Sequence, residues 1–361
     1  MSGPIAKSSI AAIHPYVAGK AKAEGFAAPI KLSANENALG CSPAAQQAFL
    51  GGGGALHRYA DPYAGALREA LGAKHTLEPG RIVFRAGSDE IFSLACQAYL
   101  NPGDAMVQPQ YAFAAWAIAA RAAGAEVISA PERAYTVDVN ALLAALTPRT
   151  RMMFVANPAS PTGTRIPFSD IKRLHANLPE HVLLVLDGAY AEFAEDEADY
   201  DAGVNLARES SNVLVTRTFS KIYGLAALRI GWGYGAAALA DTLNRIRLPF
   251  NVPAPSQAAA LAALADEAFL ETSRAHARAG RTALARLLSE HGFEVISPSA
   301  NFVTARIPDA AAIERALAAR GVLVRGLSTY AMPDALRITI GSEPEMAALS
   351  AALAAVMADR R

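Results

Sequence analysis

Cysteine is scarce in this sequence: Cys41 and Cys96 are the only two among 361 residues. They make neither a disulfide framework nor a metal-ligand cluster, and they suit a reducing compartment. Net charge is lacking too. The 33 basic residues balance the 33 acidic ones, so no surplus points to nucleic acid or an acidic membrane surface. No apolar run is long enough to cross a bilayer, and the alanine-rich stretch from Tyr111 to Ala125 is interrupted by Arg121. The segment from Met1 to Ile10 has no apolar core of signal-peptide length. Gly51-Gly52-Gly53-Gly54 lacks the following Lys-Ser/Thr of a phosphate loop, which leaves a flexible joint or tight turn. The expectation is a cytoplasmic protein that handles small molecules, with neither nucleic acid nor membrane as partner.

What is present is a large apolar fraction, 52% of the chain, enough to bury a sizeable core in two domains. Residues 1–40 are irregular and read as an arm that joins the smaller domain. From about residue 81, apolar runs alternate with helical stretches. Ile82-Val83-Phe84, Ala105-Met106-Val107, Met152-Met153-Phe154-Val155, Val182–Leu186 and Val213-Leu214-Val215 read as strands, with helices near 88–100, 111–123 and 169–177. This alternation predicts an α/β domain over 41–250, its mostly parallel sheet covered by helices. Pro249-Phe250-Asn251-Val252-Pro253-Ala254-Pro255 breaks the pattern and sets a boundary. A long helix near 256–291 follows, then short strands and helices, which makes 251–361 a smaller α+β domain.

Ligands of open parallel sheets gather at the carboxyl ends of the strands. Three predicted strands lead into polar residues there: Asn157, Asp187 and the pair Ser220-Lys221. A lysine in a glycine-containing turn can form a Schiff base with an aldehyde. Ser220 and Arg229 can hold a phosphate, one by hydrogen bond and one by charge. Those are the needs of pyridoxal phosphate. A carboxylate at Asp187, beside a buried strand end, calls for a cation such as a pyridinium, or else it caps the next turn. Gly87-Ser88-Asp89-Glu90 opens a helix, where free N–H groups attract an anion and where Ser88 or Asp89 also suits capping.

The run from Thr218 to Gly231 closely resembles the lysine motif of fold-type I pyridoxal-phosphate aminotransferases. The likeness extends in consistent order from about Ile13 to Gly341. Asn157-Pro158-Ala159-Ser160-Pro161-Thr162-Gly163 resembles the family's Asn-Pro-x-x-Pro-Thr-Gly turn. Asp187-Gly188-Ala189-Tyr190 resembles its Asp-x-x-Tyr element, with glycine where glutamate is usual. Leu32-Ser33-Ala34-Asn35-Glu36-Asn37 and Arg58-Tyr59-Ala60-Asp61-Pro62 resemble segments of the histidinol-phosphate aminotransferase subfamily. The resemblance implies the transferase fold of type I, with Lys221 as the Schiff-base lysine and Asp187 at the pyridine nitrogen. It implies Tyr190 and Asn157 at the phenolic oxygen, and Tyr111 stacked on the ring. Ser88, Asp89, Ser220 and Arg229 would hold the phosphate, joined by Tyr59 from the other subunit of a homodimer. Arg337 would grip the substrate carboxylate, with Arg325, Tyr16 and Asn35 on the substrate side. It implies transamination between histidinol phosphate and 2-oxoglutarate. Aromatic amino acid aminotransferases, threonine-phosphate decarboxylase and a non-catalytic cofactor-sensing module are the competing readings.

Overall fold

The computed structural model describes residues 3–360, so the first two residues of the N-terminal segment lie outside it. The arm contributes one short strand, β1 (Ile30–Lys31). Seven strands then form one sheet: β2 (Ile82–Arg85), β3 (Ala105–Pro109), β4 (Glu126–Ala130), β5 (Thr150–Ala156), β6 (Leu183–Asp187), β7 (Val213–Thr218) and β8 (Gly231–Gly235). Their spatial order is β2-β8-β7-β6-β5-β3-β4. Only β8 runs against its neighbours, so the sheet is mostly parallel, as the strand–helix alternation predicts.

Burial follows from the period-two pleat. Met153, Val155, Leu184, Leu186, Val213 and Val215 enter one core, while Met152, Phe154, Leu183, Val185 and Leu214 enter the other. Both faces are dry, which explains why these strands read as unbroken apolar runs. Buried backbone is satisfied along the ladders, and Asn157, Asp187 and Ser220-Lys221 stand at or just past the carboxyl ends of β5, β6 and β7.

A second sheet, antiparallel, has the order β12-β13-β10-β9, from β9 (Glu294–Ile296), β10 (Phe302–Arg306), β12 (Arg325–Leu327) and β13 (Met332–Thr339). The strand β11 (Val322–Leu323) pairs in parallel with β1, which ties the arm to this half of the chain.

Three local expectations change. The helix expected near 256–291 is two helices, Ala254–Ala265 and Glu267–Glu290, broken where Asp266 caps the second by accepting from the Phe269 N–H. The first of these packs with the large sheet: Ala259, Ala260, Ala263 and Leu264, with Leu270 and Ala277 beyond them, share its core, whereas Leu284 and Leu288 belong to the core of the antiparallel half. The helix Glu267–Glu290 thus gives residues to both cores, and Ala300 and Phe302 beyond it pack with the large sheet's core again. Finally, Gly52–Ala55 forms a short 3₁₀ turn that continues the helix Pro43–Gly51.

Candidate active site

The carboxyl ends of β5, β6 and β7 lie side by side and open into a cavity of about 390 Å³. At its floor Asp187 ends β6 and is buried, 6% exposed. Its Oδ1 accepts from the Ala189 N–H at 3.0 Å and from the Thr216 hydroxyl at 3.4 Å. Among the described residues no cation lies within ion-pair distance of it. Burial pushes its carboxyl up to about 7, against the smaller pull of the Ala189 N–H and of Lys221.

Lys221 follows β7 and reaches the same cavity. Its Nζ donates to the Ala34 carbonyl at 3.3 Å and lies 5.7 Å from the centre of the Tyr190 ring. The Tyr190 hydroxyl accepts from Asn35 Nδ2 at 2.8 Å, so its own proton stays available for a second partner. Asn35, at a φ of 56°, is fixed by Thr339, which accepts from its N–H at 2.9 Å and donates to its Oδ1 at 3.1 Å. The arm thus reaches the cavity through β13.

At one end the chain turns through Gly87 (φ 86°) into the helix Ser88–Tyr99. Gly87 is the capping residue, and neither Ser88 nor Asp89 caps with its side chain, so the first N–H groups remain for an anion. Arg229 crosses to this turn. Its guanidinium donates to Ser220 Oγ at 3.1 Å and to Asp89 Oδ2 at 3.0 Å. A Cβ at Gly231 would stand 2.5 Å from the Ser88 nitrogen, so only glycine lets β8 back this turn so closely.

At the opposite end Arg325 and Arg337 face each other across the β12–β13 ladder. Both are buried, at 8% and 7% exposure. Arg337 donates to Ser160 Oγ at 3.3 Å and to the Ser33 carbonyl at 3.2 Å, and its Nε is buried without a partner. Arg325 donates to the Val17 carbonyl at 2.6 Å. Among the described residues neither pairs with a carboxylate. Directly opposed like charges disfavour the ladder unless an anion joins them. Tyr16 lines this end, and desolvation, with Tyr330 beside it, pushes its phenol up to about 12.

Three expected residues sit off the cavity lining. Asn157 spends its amide on the backbone of Ile166, donating and accepting at 3.0 Å each way, which leaves one N–H for another partner. Tyr111 borders a small adjoining recess that shares Ala156 and Ser160 with the cavity, and its ring leans on Tyr135 with centroids 5.4 Å apart. Tyr59 is 82% exposed and stacks on Phe250 at 4.3 Å. Conversely, Phe113, Lys31, Ser33, Ser160 and Tyr330 line the cavity without having been singled out. Of these, Ser33 lies in the motif Leu32–Asn37 and Ser160 in the turn Asn157–Gly163, whereas the other three carry no motif. Gly188 also finds its reason: a Cβ there would stand 2.8 Å from Arg217 Cδ, and Arg217 bridges Glu192 and Glu195 at 2.9 Å each.

The family profile of class I and II aminotransferases matches residues 27–353. The chain belongs to that family. This aminotransferase is 46% identical over 361 residues to the histidinol-phosphate aminotransferase of Granulibacter bethesdensis, covering 99% of this chain and 97% of that one. It is 49% identical over 344 residues to histidinol-phosphate aminotransferase 1 of Caulobacter vibrioides, covering 94% and 96%. Among solved structures, the histidinol-phosphate aminotransferase of Sinorhizobium meliloti in complex with pyridoxal-5'-phosphate matches with a TM-score of 0.91 at 26% identity, over 100% of this chain and 99% of that one. The aminotransferase has the fold type that its lysine motif implied.

Proposed function

We propose that this aminotransferase moves an amino group between histidinol phosphate and 2-oxoglutarate, with pyridoxal phosphate as cofactor. The observation that carries the reading is the charge layout of one cavity. Among the described residues, a buried carboxylate without a cation stands at the floor, and two buried guanidiniums without a carboxylate stand at the far end. The relatives' names supply the substrate pair that fits it.

The residues fit the cofactor. Asp187 offers a desolvated carboxylate to a protonated ring nitrogen, which neutralises a charge that is otherwise costly to bury. Ser220, Arg229 and the free N–H groups of Ser88 and Asp89 would hold its phosphate, and Tyr190 and Asn157 would donate to its phenolic oxygen. Phe113 supplies an aromatic wall of the cavity, and Tyr111 borders the recess that adjoins it. When bound, the cofactor supplies the electron sink that stabilises a carbanion at the substrate α-carbon.

Lys221 Nζ then acts as the base that takes the α-proton and as the acid that returns one. Its position beside Tyr190 and the Ala34 carbonyl keeps it over the floor of the cavity. Arg337 suits a carboxylate, because its planar fork is held from behind by Ser160 and Ser33. Arg325 and Tyr16 suit the phosphate ester. Tyr59, exposed and stacked on Phe250, is a surface tyrosine ready to enter a second subunit's cavity in a homodimer. Residues 1–40, the large domain and the small domain would then close round a shared site.

The test is a two-step assay on purified protein with pyridoxal phosphate. Histidinol phosphate is added first, excess is removed, and 2-oxoglutarate follows. Stoichiometric glutamate is expected. No glutamate in the second step, with release of carbon dioxide when threonine phosphate replaces histidinol phosphate in the first, would favour the decarboxylase instead.

A further inference from the structure

Just past the parallel pair β3–β4, where Pro109 is in register with Ala130, two loops run side by side. Glu132 in one accepts the backbone N–H of Tyr111 in the other at 3.0 Å, and its own N–H meets Gln110 Oε1 at 3.5 Å. Its second carboxyl oxygen, Oε2, is buried without a partner among the described residues, and so is the indole Nε1 of Trp116. Both residues line the recess that adjoins the cavity, together with Tyr111, Ala156 and Ser160. Ser160 in turn accepts from Arg337. No cation pairs with Glu132 among the described residues. The titratable groups round this corner are Tyr111 and Tyr135, with the Arg306–Asp334 pair beyond them. A bare carboxyl in such a place costs stability, and residues that cost stability concentrate where function requires them.

We propose that Glu132 is a positioning residue of the reaction, anchoring the segment 111–113 that carries the aromatic wall of the cavity. The proposal rests on the aminotransferase reading above. Tyr111 borders the recess behind Ala156, and Phe113 lines the cavity itself, where it meets Tyr16 edge-on at 6.1 Å. One carboxyl oxygen thus fixes the backbone from which both rings project. Burial also pushes the Glu132 carboxyl up to about 7, with the Tyr111 N–H pulling the other way. The folded state therefore holds this proton more tightly than the unfolded chain. The stability it lends is complete below the ordinary glutamate range and is lost as pH rises through about 7.

The experiment compares full-length wild type, Glu132→Gln and Glu132→Ala. It reads pyridoxal phosphate affinity, the visible circular dichroism of the bound cofactor, kcat/KM against pH, and the Tm of the apo-protein at about pH 5 and about pH 8. Glu132→Ala frees the Tyr111 N–H and should weaken cofactor affinity and kcat by roughly tenfold, with altered dichroism. Glu132→Gln keeps an acceptor and should lose less, but its activity profile should no longer change near pH 7. The same Gln variant should melt above wild type at about pH 8, because the amide removes a buried charge. A more stable and less active protein is the signature of positioning. If the alanine variant does not fold, the glutamine variant alone carries the test. Wild-type affinity, dichroism and pH profile in Glu132→Gln, whatever its Tm, would overturn the proposal while leaving the aminotransferase reading intact. A wild type that neither binds pyridoxal phosphate nor transfers an amino group would overturn both.

Discussion

Among the described residues, Asp187 at the floor of the cavity is a buried carboxylate with no cation, whereas Arg325 and Arg337 at the far end are buried guanidiniums with no carboxylate. The two ends solve the cost of desolvation differently. Asp187 sits at the end of a central parallel strand, with one backbone N–H and one hydroxyl as its supports. The arginines sit on adjacent antiparallel strands, and each is steadied by neutral oxygens: Ser160 and Ser33 for Arg337, Val17 for Arg325. On the proposed reading, one end would meet a cofactor cation that stays and the other substrate anions that come and go. Neutral supports hold a guanidinium in place without competing for its charge.

The largest expected effect removes the group between the two ends. Lys221→Ala should abolish turnover and the visible absorbance that shifts on borohydride reduction. Retained turnover would remove the mechanism. Asp187→Asn comes next. Activity should fall by orders of magnitude, because an amide does not hold the ring nitrogen's charge. The apo-protein should behave in the opposite sense. Burial raises the Asp187 carboxyl from 3.8 to about 7, so its contribution to apo stability is complete below about 3.8 and is lost as pH rises to about 7. Asp187→Asn should flatten that part of the Tm-against-pH curve, and pyridoxal phosphate should restore stability to wild type alone. Equal curves for both apo-proteins would show that Asp187 is not desolvated.

At the far end Arg337→Lys keeps the charge and loses the fork. A charge-assisted pair of hydrogen bonds contributes about 1.5–3 kcal/mol, so kcat/KM for glutamate should drop by roughly one to two orders of magnitude. Unchanged glutamate kinetics would put the carboxylate elsewhere. The smallest effect is expected outside the cavity. Tyr59→Phe should weaken cofactor affinity several-fold, the size of one lost hydrogen bond of about 1 kcal/mol. Mixed with Lys221→Ala subunits, it should recover activity on subunit exchange if Tyr59 serves a second subunit's site as proposed, since one site of such a heterodimer would then carry neither lesion. No recovery in proven heterodimers would argue for a same-chain role.

Much of the floor was legible in the sequence, because each element there is local. A strand that leads through Phe219 into Ser220-Lys221, or that ends at Asp187, carries its proposed role within a few residues. The far end was legible only by resemblance. That Arg325 stands directly opposite Arg337 depends on the register of two strands, which no local pattern specifies. Glu132 was invisible for the same reason. It matters because β3 and β4 are neighbours, and an isolated glutamate after a proline carries no signal. The break at Asp266 could have been read, since an aspartate three residues before Phe269 is a capping position. The transfer of 252–277 to the large core could not, because alanine-rich helices fit either side of a boundary.

The most direct test of the charge layout is the ratio of kcat/KM for histidinol phosphate to that for phenylalanine, in wild type and in Arg325→Gln. Two buried arginines with no carboxylate partner among the described residues predict a wild-type preference for the phosphate of about two orders of magnitude or more. Arg325→Gln should erase most of that preference through the phosphate substrate alone, with phenylalanine kinetics unchanged. A wild type that uses phenylalanine as well as histidinol phosphate, or a ratio indifferent to Arg325, would contradict the account.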